Sequence, residues 1–154
     1  AVYIIHSTNT TNLRVTYKNF GTSLYSTISI PIVANYVRTS MDKNNNIHIL
    51  AINKGLLSND ANYIFYNTSN NSYDVKKLSN QISIPGLSSF GPYGDIKVDD
   101  NLNVYIAINA TVSGNSYNYL LIKKGNTWQA TKLPNDNNPI NYFLNSIRLD
   151  IGNF

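Results

Sequence analysis

The sequence predicts an all-β protein, and three observations support this class. All eight acidic residues are Asp, so the strong helix former Glu is absent, whereas Asn, Ser, Thr and Tyr, which suit turns and strands, are abundant. No stretch shows the 3.6-residue periodicity of an amphipathic helix. Short apolar segments alternate with Asn-rich and Gly-rich turns along the whole chain. We therefore expect a helix content near zero.

Composition limits the classes of function. A chain of 154 residues with 42% hydrophobic and 13% charged residues is typical of one globular domain. No apolar run reaches the roughly 18 residues of a membrane span, so we predict no membrane insertion. The absence of Cys excludes disulfides and thiolate chemistry and fits a bacterial or viral protein better than a small eukaryotic secreted domain. The net charge of +4 is scattered, which argues against nucleic-acid binding.

A repeat organises the chain. A strand that ends in Asp, an Asn-rich or Gly-rich turn and an apolar strand recur at Asp42, Asp99 and Asp150. The third copy stops after its turn, and the chain starts at Ala1 within an apolar strand. The predicted units are 37–78, 95–133 and a unit split between 146–154 and 1–30.

Each unit is predicted to contain four strands, A to D. The predicted strands are 37–42, 47–53, 62–67 and 73–78, then 95–99, 104–109, 117–123 and 127–133, and, in the split unit, 146–150, 1–6, 12–18 and 24–30. Strands B are almost entirely apolar, which is typical of burial on both faces. The pairs Asn12-Leu13, Asn62-Tyr63 and Asn118-Tyr119 open the three C strands.

Antiparallel four-stranded units repeated about every 40–50 residues are typical of a β-propeller. Closed propellers have about four blades or more, so three units would form an open arc with two apolar faces. We expect two copies to form a six-bladed ring in which 146–154 pair with 1–6 of the partner. The alternative is that the chain is half of a longer propeller whose other half lies on another chain.

The second unit carries a family resemblance. Ile96-Lys97-Val98-Asp99, Asn103-Val104-Tyr105-Ile106 and Gly125-Asn126-Thr127-Trp128 together resemble the BNR or Asp-box-like repeat of sialidase-type propellers. The strict motif Ser-x-Asp-x-Gly-x-x-Trp is absent. The resemblance therefore implies a fold more than an activity.

Candidate ligand-binding residues lie at the ends of the predicted strands. In propellers the D-to-A and B-to-C links form the usual ligand face, and here they are the long links. The candidates from this face are Tyr36, Tyr93 and Tyr142 before strands A, Arg38, Asp95 and Asn145 close behind them, and His6, Asn53 and Asn109 at the ends of strands B. Tyr, amide and charged side chains suit a sugar. The alternative is that the Tyr residues pack between blades.

Several chemistries are not supported by the sequence. The resemblance implies a sialidase set of three converging Arg and a Tyr–Glu pair, but Glu is missing and only Arg14, Arg38 and Arg148 exist. His6 and His48 lack a third metal ligand, and Asp42-x-Asn44-x-Asn46 is predicted to be a hairpin turn and not a calcium loop. We predict no catalytic residues, metal or cofactor.

Three hypotheses on function follow. The first is a non-enzymatic binding module, lectin-like or adhesive, secreted or on a cell surface, with a possible glycan ligand. The second is a structural or protein-interaction scaffold, and the third is a glycosidase.

Overall fold

The chain is all-β in the computed structural model, which describes residues 1–7, 12–55 and 59–134. The strands form three antiparallel sheets that follow one another along the chain. Sheet 1 contains β1 (Val2–Ser7), β2 (Leu13–Lys18) and β3 (Ser26–Ile30). Sheet 2 contains β4 (Tyr36–Met41), β5 (Ile47–Lys54), β6 (Asn59–Asn67) and β7 (Ser72–Lys77). Sheet 3 contains β8 (Leu87–Val98), β9 (Val104–Val112), β10 (Asn115–Lys124) and β11 (Thr127–Lys132).

The predicted all-β class is confirmed. The only helical segment of the described residues is one 3₁₀ turn, Leu78–Asn80. Strands that are adjacent in sequence are adjacent in each sheet. The predicted strand 146–150 lies outside the described residues. No helix in the described part of the chain has the length and apolar character to cross a membrane.

Two connections differ from the prediction. The segment 88–94 was expected to be a loop but belongs to β8. Leu87, Ser89 and Phe90 pair with the far end of β9, and a bulge then interrupts the pairing of the two strands. The connection between β9 and β10 is a tight turn at Ser113-Gly114, both with positive φ, and not a long loop. Both errors have the same cause: β8, β9 and β10 extend past their apolar stretches because pairing with the neighbouring strand satisfies their backbone groups.

The three sheets stack face to face with sheet 2 in the middle. One apolar cluster joins sheets 1 and 2, and a second joins sheets 2 and 3. Because side chains alternate along a strand, β5 directs Ile47, Ile49 and Ala51 into the first cluster and Leu50 and Ile52 into the second. β5 is therefore buried on both faces, as predicted for a B strand.

β1 departs from that prediction. Its residues alternate between half-buried and exposed, and Val2 and Ile4 keep 54% and 53% of their surface in contact with solvent. Sheet 1 packs on sheet 2 through its other face only. The two faces of β1 therefore differ, although both are apolar in sequence.

The first strands of sheets 2 and 3 lie side by side. The Tyr36 hydroxyl donates a hydrogen bond of 2.8 Å to the Gly94 carbonyl, and the Val98 N–H donates one of 3.2 Å to the Ser40 hydroxyl. Both bonds join residues separated by the same 58 positions. Since the two pairs advance together along the chain, β4 and β8 run parallel.

Gly94 allows this approach. A Cβ at position 94 would lie 2.9 Å from the Leu50 Cδ2 atom and 2.9 Å from the Ala107 carbonyl. Any side chain there would separate sheet 2 from sheet 3, so this position requires glycine.

Two turns built on Asp repeat the same hydrogen bonds. Asp42 Oδ1 accepts from the N–H groups of Asn44 and Asn46, and Asp99 Oδ1 accepts from those of Asn101 and Asn103, all at 2.8–2.9 Å. In both turns the second Asn amide also donates to Oδ2 of the Asp. The carboxylates are therefore occupied by the turn itself, as expected for a hairpin turn.

Candidate functional site

Three of the predicted site residues come together between sheets 2 and 3. The Arg38 guanidinium lies 4.4 Å from the centre of the Tyr36 ring, and the Tyr36 and Tyr93 rings meet edge to face at 5.4 Å. On the far side the Lys54 ammonium lies 4.5 Å from the centre of the Tyr93 ring. We call Arg38, Tyr36, Tyr93 and Lys54 the cation–aromatic ladder.

The ends of three strands position the ladder. Tyr36 opens β4, and Arg38 lies two residues further on the same face. Tyr93 lies in the β8 bulge between Phe90 and Gly94, where the pairing register between β8 and β9 shifts. A bulge turns a side chain out of the regular alternation of a strand, which brings Tyr93 to Tyr36. Lys54 ends β5.

Tyr36 is fixed by packing. Its hydroxyl donates its hydrogen bond to the Gly94 carbonyl. Burial raises the pKa of Tyr36, although Arg38 and this hydrogen bond act in the opposite direction. The hydroxyl therefore stays protonated and continues to donate at neutral pH. The contacts of Tyr36 therefore fit a residue that packs between sheets better than a residue whose hydroxyl is free to bind a ligand.

The outer members of the ladder keep exposed polar groups. Arg38 and Lys54 are exposed, and the Arg38 guanidinium donates to the neighbouring Val37 carbonyl at 3.2 Å. The Lys54 ammonium approaches the Tyr93 hydroxyl at 3.4 Å, near the limit of a hydrogen bond. The contact between Lys54 and Tyr93 lies at the exposed surface, and Tyr93 itself is half-buried. The ladder thus offers aromatic surface, hydrogen-bond donors and two positive charges.

The other predicted residues have separate surroundings. Asp95 is buried, and its carboxylate accepts the N–H of Ile96 at 3.0 Å. Asn109 bonds the side chains of Asn118 and Ser116 within sheet 3. His6 lies on sheet 1, within 3.4 Å of the Thr16 hydroxyl.

Of the remaining three, Asn53 lies on β5 opposite Asp60. Tyr142 and Asn145 lie outside the described residues. The structure therefore gathers Tyr36, Arg38 and Tyr93 into one contact chain but places His6 on a different sheet.

Lys54 was missed by sequence reasoning, although a signal for it exists. Strand alternation puts Lys54 on the same face of β5 as Leu50 and Ile52, which face sheet 3. The sequence-based candidate at this strand end, Asn53, is adjacent to Lys54 and therefore lies on the opposite face of β5.

A buried polar network lies at the Asp42 turn. His48 Nδ1 is 2.8 Å from the Tyr63 hydroxyl, and His48 Nε2 is 3.2 Å from Asp42 Oδ2. Asp42, which is ionised, needs a donor, so Nε2 carries the proton and Nδ1 accepts from Tyr63. Burial lowers the pKa of His48, partly opposed by Asp42 and reinforced by Lys123. The ring is therefore neutral at neutral pH, which fits this tautomer.

The equivalent turn uses a different side chain for the same bond. The Tyr105 hydroxyl donates to Asp99 Oδ2 at 3.1 Å, where His48 bonds Asp42 in the preceding sheet. Trp128 of sheet 3 packs on Tyr63 of sheet 2 with ring centres 5.3 Å apart. Because a second side chain can replace His48 in this bond, we interpret the network as structural.

Comparisons with known proteins do not assign the chain to a family. Neither the scan against family models nor the search of curated proteins finds a match. The resemblance to sialidase-type repeats therefore stays an expectation from sequence.

Proposed function

We propose that this chain is a non-enzymatic binding module that recognises carbohydrate on a propeller-type scaffold, secreted or displayed at a cell surface. The observation that carries the proposal is the cation–aromatic ladder, in which three of the residues predicted from sequence meet. The ladder suits ligand binding because its Tyr rings supply aromatic surface, and Arg38 and Lys54 supply hydrogen-bond donors and positive charge.

The sheet arrangement supports a propeller-type scaffold. A propeller blade is an antiparallel meander, and blades stack face to face in chain order around an axis. Sheets 1, 2 and 3 are such meanders and stack in chain order. Strands nearest the axis run parallel to one another, as β4 and β8 do. The ladder would then lie close to the axis, where propellers bind their ligands.

Sugar recognition fits the chemistry of the ladder. Apolar faces of sugar rings stack on aromatic side chains, and hydroxyl groups accept hydrogen bonds from Arg and Lys. An edge-to-face contact with Tyr36 and a cation–π contact with Lys54 already hold Tyr93 in place. A preordered site loses less side-chain entropy when a ligand binds, which favours affinity.

A glycan array followed by calorimetry tests the proposal. We expect one glycan class to bind, and Tyr93→Ala and Lys54→Ala each to weaken binding at least about tenfold, the loss expected for one good contact. The matched control is Tyr73→Ala on β7, because Tyr73 is 39% exposed and lies outside the ladder. The absence of glycan binding at millimolar concentration, or equal losses for Tyr93→Ala and Tyr73→Ala, would refute the proposal.

A second candidate is a protein-interaction scaffold. The link between β2 and β3 exposes three large apolar side chains, Phe20, Leu24 and Tyr25. Large apolar groups close together in one surface link are typical of protein contacts. A partner that is captured by the wild-type chain and lost with Leu24→Ser, while glycan binding is unchanged, would support this function over the first.

A further inference from the structure

We propose that the outer faces of sheet 1 and sheet 3 bind each other between two copies of this chain, so that each dimer contains two identical head-to-tail interfaces. This inference rests on the propeller-type stacking proposed above. It adds the two surfaces, their residues and their polarity to the ring closure expected from sequence.

The stacking of the sheets has a direction. β5 of sheet 2 turns Ile47, Ile49 and Ala51 toward sheet 1, the sheet before it. β9 of sheet 3 turns Val104, Ile106 and Ile108 toward sheet 2, again the sheet before it. These are equivalent positions, because each set starts at the fifth residue after the Asp of its turn. Every second residue, starting with His48 or Tyr105, therefore faces the following sheet.

Sheet 1 obeys the same rule and leaves one face open. Its Tyr3 and Ile5 pack toward sheet 2, which follows it. Val2 and Ile4 alternate with them and so occupy the positions that face a preceding sheet. In the described part of the chain no sheet precedes sheet 1, and both side chains are more than half exposed. Val2 and Ile4 are thus the counterparts of the apolar residues that β5 and β9 bury.

Among residues 1–7, 12–55 and 59–134 no sheet follows sheet 3, so the opposite face of sheet 3 has no described sheet against it. Tyr105 and Ala107 of β9 occupy the positions that His48 and Leu50 occupy in sheet 2. Within sheet 3 they pair with Ile122 and Leu120 of β10, which are apolar and half-buried, and with Lys97 and Asp95 of β8 on the other side. Leu50 of sheet 2 is completely buried under sheet 3. An equivalent cover for the face of sheet 3 would be a sheet of the type of sheet 1.

A second copy supplies both missing sheets. Sheet 3 of each chain would pack on sheet 1 of the other. The residues of sheet 3 that face a following sheet would then contact the residues of sheet 1 that face a preceding sheet. A head-to-tail contact closes into a ring when the rotation allows it. Three sheets are fewer than closed propellers contain, and six lie within their usual range.

Sedimentation equilibrium with three variants tests the inference. We expect a dimer of the 17.2 kDa chain, and Ile4→Asp and Ile122→Asp each to raise its dissociation constant at least about 100-fold, because each lesion occurs in both interfaces. The matched control Leu102→Asp changes an apolar residue that is 38% exposed in the turn between β8 and β9 and should leave the constant within about threefold. Circular dichroism checks that each variant is folded.

Each possible result is decisive. A monomeric wild-type chain would overturn the inference, as would a dimer that only one of the two face variants weakens, since that points to packing of like faces. A mixture of the Ile4→Asp and Ile122→Asp chains contains one undamaged interface per mixed dimer, so we expect it to associate more tightly than either variant alone. A monomer that still binds glycan refutes the interface only, and a dimer without glycan binding refutes the proposed function only.

Discussion

Removal of one hydroxyl group, Tyr36→Phe, tests whether Tyr36 joins sheet 2 to sheet 3. The hydroxyl donates to the Gly94 carbonyl at 2.8 Å in a partly buried position. A neutral hydrogen bond contributes about 0.5–1.5 kcal/mol net, and a buried acceptor left without a partner costs about 1–3 kcal/mol. Because Phe keeps the ring and its contacts with Arg38 and Tyr93, we expect the free energy of unfolding to fall by about 1–2 kcal/mol.

Urea denaturation followed by tryptophan fluorescence measures this change, since Trp128 reports on the same pair of sheets. Tyr93→Phe is the matched control, because its hydroxyl lies 3.4 Å from the Lys54 ammonium at the surface. We expect that variant to lose less than about 0.5 kcal/mol. Equal losses in the two variants, or a loss below about 0.3 kcal/mol for Tyr36→Phe, would contradict the role given to Tyr36.

Two further perturbations have definite expected outcomes. Burial depresses the pKa of His48 below its ordinary 6.5. As the pH falls below about 6.5, the unfolded chain therefore takes up a proton at His48 before the folded chain does. The free energy of unfolding should accordingly decrease as the pH falls through the folded pKa. His48→Gln should remove this fall and His6→Gln should keep it in pH-dependent urea denaturation; a fall of equal size in all three proteins would refute the assignment. Burial alone would raise the pKa of Asp42, but hydrogen bonds from His48, Asn46 and Asn44 outweigh it and lower the pKa, so a second loss of stability is expected as the pH falls below about 3.8. Gly94→Ala should reduce stability by about 1–3 kcal/mol through overpacking between sheets 2 and 3, and unchanged thermal unfolding would show that the close approach at Gly94 is not required.

The sequence was sufficient to predict what local pattern and turn chemistry determine. The strand positions follow from short apolar segments between turn residues, and the Asp42 and Asp99 turns follow from an Asp with Asn two and four residues later. These features depend on side chains that bond the backbone nearby. They form the same way wherever the segment lies in the fold.

Register was predicted less well. The sequence aligned Asn62-Tyr63 with Asn118-Tyr119, but Tyr63 pairs with Leu50 and packs toward sheet 3, whereas Tyr119 pairs with Ile108 and packs toward sheet 2. A shift of one residue exchanges the two faces of a strand. The dipeptides look alike in sequence, and only the pairing of each strand with its neighbour decides which face each residue takes.

The candidate site was predicted in part for the same reason. Tyr36 and Arg38 were found because they precede and begin a strand, but the contact with Tyr93 depends on the β8 bulge, which arises from pairing with β9. Lys54 joins the ladder only because β5 extends one residue past Asn53. Long-range pairing sets the β8 bulge, and a single sequence does not display it. The face that Lys54 occupies follows instead from strand alternation, which the sequence does display.

Nuclear Overhauser contacts between β4 and β8 test the parallel side-by-side packing of the two neighbouring sheets. Parallel strands should give cross peaks from the Tyr36 ring to the Gly94 Hα atoms and from the Ser40 Hβ atoms to the Val98 amide proton, in keeping with the two hydrogen bonds. An antiparallel arrangement would instead connect Tyr36 with Val98 and Ser40 with Gly94. That second set of cross peaks would contradict the sheet stacking, the scaffold proposed from it and the interface between two copies.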